Sequence, residues 1–247
     1  MTVPRQGAIG LSLAVAIMFG WIALEAYAIF AHPLGFAGAL AAPLLIAAIC
    51  WLNVGLFIIA HDAMHGSLAP GRPGFNRAVG RLALGLYAGF SYDALLPKHL
   101  DHHRRPGTPD DPDFDADNPR HLWRWYSGFI RRYFGWRQLM ILSVVFVALL
   151  LLGARYANVM LFWALPAILS SFQLFYFGTY LPHRHEDAEF ADDHRARSNQ
   201  FTWLGSLLSC FHFGYHHEHH LAPSVPWWRL PSERKHRASA RSGPRPA

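Results

Sequence analysis

Two cysteines, Cys50 and Cys210, are all that this sequence contains. They are too few for a disulfide framework or a thiolate metal site, and Cys50 lies in an apolar run, where a thiol behaves as a small buried hydrophobe. Charge is also sparse. Asp, Glu, Lys and Arg make up 15% of the 247 residues, against about 25% in soluble domains. Hydrophobic residues reach 52% and gather in long runs, so the chain reads as a membrane protein. The formal net charge of +6 does not argue for nucleic acid. Much of the excess sits in the stretch 232–247, "SERKHRASARSGPRPA", which has five Lys/Arg against one Glu. Its composition predicts a basic, disordered tail against anionic lipid headgroups, and no nucleic-acid-binding signature accompanies it.

What the sequence has in quantity is apolar length. A helix needs about 20 apolar residues to cross the hydrocarbon core. Residues 8–31, 37–60, 139–154 and 158–181 are read as spans, although Glu25 interrupts the first and the third is short. "AYA" at 26–28 resembles a signal-peptide cleavage site, but the run before it is long for such a leader, so a span is preferred. Residues 82–97 form a 16-residue apolar segment containing Asp93. If this segment does not cross, every Lys and Arg except Arg155 falls on one side of the membrane, in loops 1–7, 61–138 and 182–247. The positive-inside rule makes that side cytoplasmic, at the inner membrane. The expected fold is therefore an all-α integral membrane protein. It has four transmembrane helices in two hairpins, outer loops at 32–36 and 155–157, and a cytoplasmic helical cap. Residues 82–97 are expected as a half-buried or surface-lying helix, and residues 1–231 as a single domain.

The cap carries the chemistry. "HDAMH" at 61–65, "HLDHH" at 99–103 and "HHEHH" at 216–220 are three histidine clusters on one side of the membrane. His61/His65 are spaced i, i+4; His99/His102/His103 and His216/His219/His220 are spaced i, i+3, i+4. At 3.6 residues per turn each set shares a helix face. Neutral imidazole is a good ligand for Fe, Zn, Cu and Ni. One ion takes about three or four protein ligands, so eight same-facing histidines suit two metals. His183, just past the inner end of the last span, is expected as a ninth ligand, with His185 as the alternative. His217 and His212 are ambiguous neighbours. His194 reads as a solvated loop residue, and the isolated His32, His121 and His236 as satisfied or surface polar groups.

Metal-bound imidazoles commonly donate their second N–H to a carboxylate. Asp62, Asp101 and Glu218 lie within the clusters and are candidates for that role. The acidic stretch "PDDPDFDAD" (109–117) fails the calcium-loop pattern, which needs Gly and Glu where Ala116 and Leu122 stand. It reads as a solvated loop in which one carboxylate can orient a ligand histidine. The tryptophans flanking spans and clusters, among them Trp123, Trp125, Trp136, Trp203, Trp227 and Trp228, read mostly as an interfacial belt. Phe57 and Phe177 are candidates to line a tunnel through the spans. "HDAMH" imitates the HExxH of zinc proteases, but that reading leaves the other two clusters unexplained. A metal carrier would more naturally place its ligands along a path within the spans.

The clusters HxxxH, HxxHH and HxxHH, interleaved with paired spans, resemble the membrane fatty-acid desaturase and hydroxylase superfamily. The strings "HDAMHGSL", "HHRRPGTPDDPDF", "FGTYLPHRHE" and "YHHEHHLAPSVPWWRLP" resemble its bacterial carotenoid ketolases. The resemblance runs from about residue 50 to 231. It implies a non-haem di-iron centre with O2 as co-substrate, a ferredoxin-type electron donor, and a carotenoid substrate drawn from the bilayer. The implied reaction is double hydroxylation of ring carbon 4 and dehydration to a ketone. A fatty-acid desaturase or hydroxylase, or a carotenoid 3-hydroxylase, would use the same clusters.

Overall fold

The computed structural model describes residues 2–242, with no strand among them. Two long helices, α1 (Val3–Phe30) and α2 (Phe36–Met64), are joined by a short turn and packed together. α3 (Pro73–Ala88) lies along α2 and is followed by α4 (Tyr92–Arg104). A loop then leads to α5 (Leu122–Tyr133) and α6 (Trp136–Leu151), bent by 80° at their junction. α7 is the long helix Tyr156–His183. Three short α-helices follow: α8 (Trp203–Cys210), α9 (His216–Leu221) and, after a 3-10 turn at Trp227–Arg229, α10 (Leu230–Ser242).

Three helices, α1, α2 and α7, are long and apolar enough to cross a membrane; the bent pair α5 and α6 adds a fourth if it counts as one span. The 16 residues of α6 reach only about 24 Å, short of a ~30 Å core. α2, with 29 residues, reaches about 43 Å. That surplus is long enough for its histidine-bearing last turns to lie beyond an apolar slab of this thickness. The turn after α1 and the start of α7 are stitched together: the Asn158 amide donates to the carbonyls of Ala28 (2.9 Å) and His32 (3.0 Å).

α7 is not a uniform helix. It widens to π-helical turns at Val159–Ala164 and Tyr176–Tyr180, each just ahead of a proline, Pro166 and Pro182. A proline ring clashes with the carbonyl four residues back and cannot donate to it; a wide turn removes that conflict.

Residues 82–97 differ from expectation. They are not one half-buried or surface-lying helix but the end of α3 and the start of α4. Gly89 closes α3 in the left-handed region (φ +67), and Ser91 caps α4 by accepting the Ala94 N–H. The two helices pack tightly: a Cβ at Gly80 would lie 2.3 Å from the Tyr92 ring. Asp93, out of place in an apolar span, instead accepts from Arg77 (2.7 Å) and Arg81 (2.6 Å) across this pair. The tail also differs. From 232 to Ser242 it is the helix α10, anchored by buried Leu230 and an i, i+4 Glu233–Arg237 pair; residues 243–247 lie outside the described residues. Trp125 and Trp227 are buried rather than interfacial, whereas Trp123, Trp136 and Trp203 are exposed.

Glu25 is buried in α1, and neither carboxylate oxygen has a hydrogen-bond partner among the described residues. An unpartnered buried polar group costs about 1–3 kcal/mol. Glu25→Leu is therefore expected to raise the thermal midpoint of the detergent-solubilised protein. A lowered midpoint would show that the carboxyl has a stabilising role.

Candidate metal centre

Four helices deliver nine histidines to one place. His61 is in the last turn of α2, and His65 caps that helix. α4 supplies His99, His102 and His103; α7 ends on His183; α9 supplies His216, His219 and His220. The nine form two groups, in each of which the ligand atoms lie within 4.8 Å of one another: His61, His65, His99, His103 and His219 in one, His102, His183, His216 and His220 in the other. The groups do not follow the sequence clusters. α4 gives its i, i+4 pair to the first group and His102 to the second; α9 gives His219 to the first and its i, i+4 pair to the second. The two meet where the His103 and His220 rings stack, 4.3 Å apart.

Within each group the Nε2 atoms point at one another. His65 and His99 approach to 2.6 Å, His103 and His219 to 3.0 Å, His183 and His216 to 2.9 Å, and His216 and His220 to 3.1 Å. Two nitrogens each ~2.1 Å from a common ion are about 3 Å apart at right angles, so this convergence is the spacing of a coordination shell. His61 has both ring nitrogens buried without a hydrogen-bond partner among the described residues, a state that is rare unless a ligand completes it. The donors are all imidazole, without thiolate or carboxylate, which suits Fe, Cu, Zn or Ni rather than Mg or Ca. The residues thus fit two transition-metal ions.

The electrostatics agree. Burial, then the neighbouring imidazoles, holds His99, His103, His216, His219 and His220 well below the usual histidine range; the same causes bring His65 down to about 4. These rings are neutral at pH 7, with lone pairs available to a metal. His102 departs from this. Burial pulls it down, but the hydrogen bond to Asp111 and the charges of Asp113 and Asp111 outweigh burial and raise it.

Asp111 is the carboxylate that orients a histidine here. It is buried, both its oxygens lie 3.0 Å from His102 Nδ1, and it also accepts the N–H groups of Gly107 and Asp113, each at 2.8 Å. The Nδ1–H is thereby fixed, and Nε2 is left for the second group. The acidic loop is therefore not simply solvated around Asp111. His183 is held similarly, its Nδ1 donating to the Arg195 carbonyl at 2.8 Å.

The expected carboxylates behave otherwise. Asp101 is paired with Arg104 at 2.9 Å on the exposed side of α4, away from the histidines. Buried Glu218 accepts from the Ser198 hydroxyl. Asp62 stands 3.8 Å from His61 Nδ1, beyond hydrogen-bond distance, and accepts the Trp227 N–H instead. His185 packs between Phe114 and Phe190 and joins neither group. His217 turns to Asp192 (2.8 Å), His194 reaches the same carboxylate, and His212 is buried against Trp203 and Trp227.

A cavity of about 770 Å³ opens onto the histidines, with His61, His99, His102 and His216 in its wall. This is within the ~300–1,000 Å³ range of small-molecule sites. Away from the histidines its wall is mostly apolar, including Phe57, Phe90, Leu174 and Trp163. Phe57 is in it as expected. Phe177 is not; it packs against Phe201 and the central core. Much of the wall comes from α5, including Tyr126, Phe129 and Tyr133, a helix whose position no sequence pattern disclosed.

The fatty acid desaturase family model matches residues 34–142 and 117–244. The chain is 52% identical over 234 residues to a β-carotene ketolase of Paracoccus sp. (strain PC1), covering 92% of this chain and 93% of that protein. It is 37% identical to a β-carotene ketolase of Haematococcus lacustris, covering 94% and 81%. It is 39% identical to a zeaxanthin 4-ketolase of Chlamydomonas reinhardtii, covering 94% of this chain and 54% of that protein.

Proposed function

The chain belongs to the fatty acid desaturase family, and we propose that it is a membrane carotenoid 4-ketolase. Similarity to ketolases over nearly the whole chain supports the substrate and the reaction. The observation that carries the reading is the junction of an apolar cavity with nine converging imidazoles. A carotenoid is confined to the bilayer, so its enzyme must receive it through apolar walls and present one ring methylene to polar chemistry.

We assign the five-histidine and four-histidine groups to two iron ions. Bound iron would supply O2 activation and oxidation of a strong C–H bond. The protein's part is positional. Asp111 and the Arg195 carbonyl fix the tautomers of His102 and His183. The rings around the cavity exclude bulk water, which would otherwise intercept a reactive oxidant. The balance is explicit: one ring CH2, two O2, four electrons and four protons give one ketone and three waters, through successive hydroxylations and loss of water from the geminal diol. The electrons come from a ferredoxin-type donor on the polar side. The topology that serves this is four spans in two hairpins, with residues 1–231 as one domain and the histidines on the cytoplasmic side of the inner membrane. On this topology every Lys and Arg of the sequence but Arg155 falls on that side, as the positive-inside rule asks.

Expression in a host that accumulates β-carotene tests the reading. The expected result is 4-ketone pigment, echinenone or canthaxanthin. Hydroxyl at carbon 3 alone would reassign the protein as a carotenoid hydroxylase. Unaltered pigment with new double bonds in the fatty acids would reassign it as a desaturase.

A further inference from the structure

Six hydroxyl side chains line the cavity, and five of them are engaged. Tyr126 and Ser171 bond to each other at 2.8 Å. Ser127 donates to the Arg124 carbonyl at 2.9 Å. Tyr133 donates to Asp113, and Tyr87 accepts from Ser170 at 3.4 Å. Thr179 alone has no hydrogen-bond partner among the described residues. This is unusual: a helical threonine commonly bonds the carbonyl one turn back. Thr179 is only 8% exposed, yet its unpartnered oxygen is not among the fully buried ones, and the residue lines the cavity.

Its position explains what the hydroxyl faces. Thr179 is in the π-helical turn Tyr176–Tyr180, one turn before His183 and thus about 6 Å from it along the axis. A Cβ on the preceding Gly178 would touch the Phe213 ring at 3.4 Å. That ring in turn lies 4.5 Å from His61 and 5.2 Å from His216. Gly178, Thr179, Phe213 and His216 all border the cavity. Thr179 therefore belongs to the histidine end of the cavity, where the reacting ring is presented, and not to its far apolar end.

We infer that Thr179 is a specificity-determining residue that hydrogen-bonds a hydroxyl on carbon 3 of the substrate ring. This rests on the ketolase reading. Carbon 3 is one bond from the carbon that is oxidised, so a ring offering carbon 4 to the histidines offers its 3-hydroxyl to the wall beside them. A ring without that hydroxyl leaves Thr179 unpaired, as it is now. The chain therefore favours 3-hydroxylated rings, as in zeaxanthin, over β-carotene. The selectivity is modest, because one neutral hydrogen bond separates the two by about threefold to tenfold.

The test is competition. Membranes containing the full-length chain, or its T179V or T179S variant, receive equimolar β-carotene and zeaxanthin, and initial 4-ketone formation from each is measured. Valine keeps the shape and removes the hydroxyl, so T179V is expected to lower the zeaxanthin to β-carotene ratio by about threefold to tenfold; T179S is expected to retain the original ratio. An unchanged ratio in T179V, or an equal loss with both pigments, overturns the assignment and leaves the ketolase reading standing. No ketone from either pigment with the unsubstituted chain overturns both.

Discussion

Alanine at His216 is expected to abolish ketone formation and to leave the purified chain with about one iron ion in place of about two. His216 is the hub of the four-histidine group, with its Nε2 2.9 Å from that of His183 and 3.1 Å from that of His220, and it also borders the cavity. Its loss leaves three imidazoles for that ion, while the five-histidine group is untouched. Even loss of a partner outside the coordination shell costs about 10–100-fold, so losing a ligand is expected to cost more than ~100-fold in activity. His217 is the natural comparison. It adjoins His216 in sequence but is bonded to Asp192, and His217→Ala is expected to keep both the metal and most of the activity. Equal loss in the two variants would mean that α9 is merely fragile.

Asp111→Ala is expected to weaken one metal ion by about 10–100-fold and to leave the other as it was. The substitution removes the anionic partner of His102 Nδ1 and frees two backbone N–H groups, of Gly107 and Asp113. His102 belongs only to the four-histidine group, so a chelator titration that is uniform in the original chain is expected to become biphasic. Asp101→Ala, one residue from His102 but paired outward with Arg104, is expected to leave the titration unchanged. If the Asp101 variant loses metal and the Asp111 variant does not, the assignment of the carboxylates is reversed.

The histidines were legible because ligand chemistry demands an uncommon residue at helical spacing. Periodicity placed the members of each cluster on one face, and hydropathy placed the clusters at the ends of apolar runs. What periodicity does not contain is how faces from different helices interlock. His102 and His103 are adjacent in sequence and 100° apart on a helix, so they serve different groups, and only the packing of α4 against α9 decides which. Asp111 was harder still. It is nine residues beyond His102, in a loop without periodicity, whereas Asp62, Asp101 and Glu218 sit inside the clusters, where proximity in sequence favours them. Their side chains point elsewhere because a helix turns.

The apolar segment 82–97 misled for a related reason. Its hydropathy resembles a surface helix, but Gly89 can adopt a positive φ and Ser91 can cap, and together they break it. Asp93 then finds Arg77 and Arg81. The cavity was least legible. Its wall is assembled from α2, α3, α4, α5, α6, α7 and α9, and no single stretch of sequence records that Phe57 faces it while Phe177 does not.

The account depends on two metal ions held by imidazole alone. Counting iron and zinc in the full-length protein purified in detergent tests this most directly. About two iron ions per chain, falling toward one in His216→Ala, is the predicted result. A single zinc per chain, or a metal-free chain that still makes ketone, would contradict it.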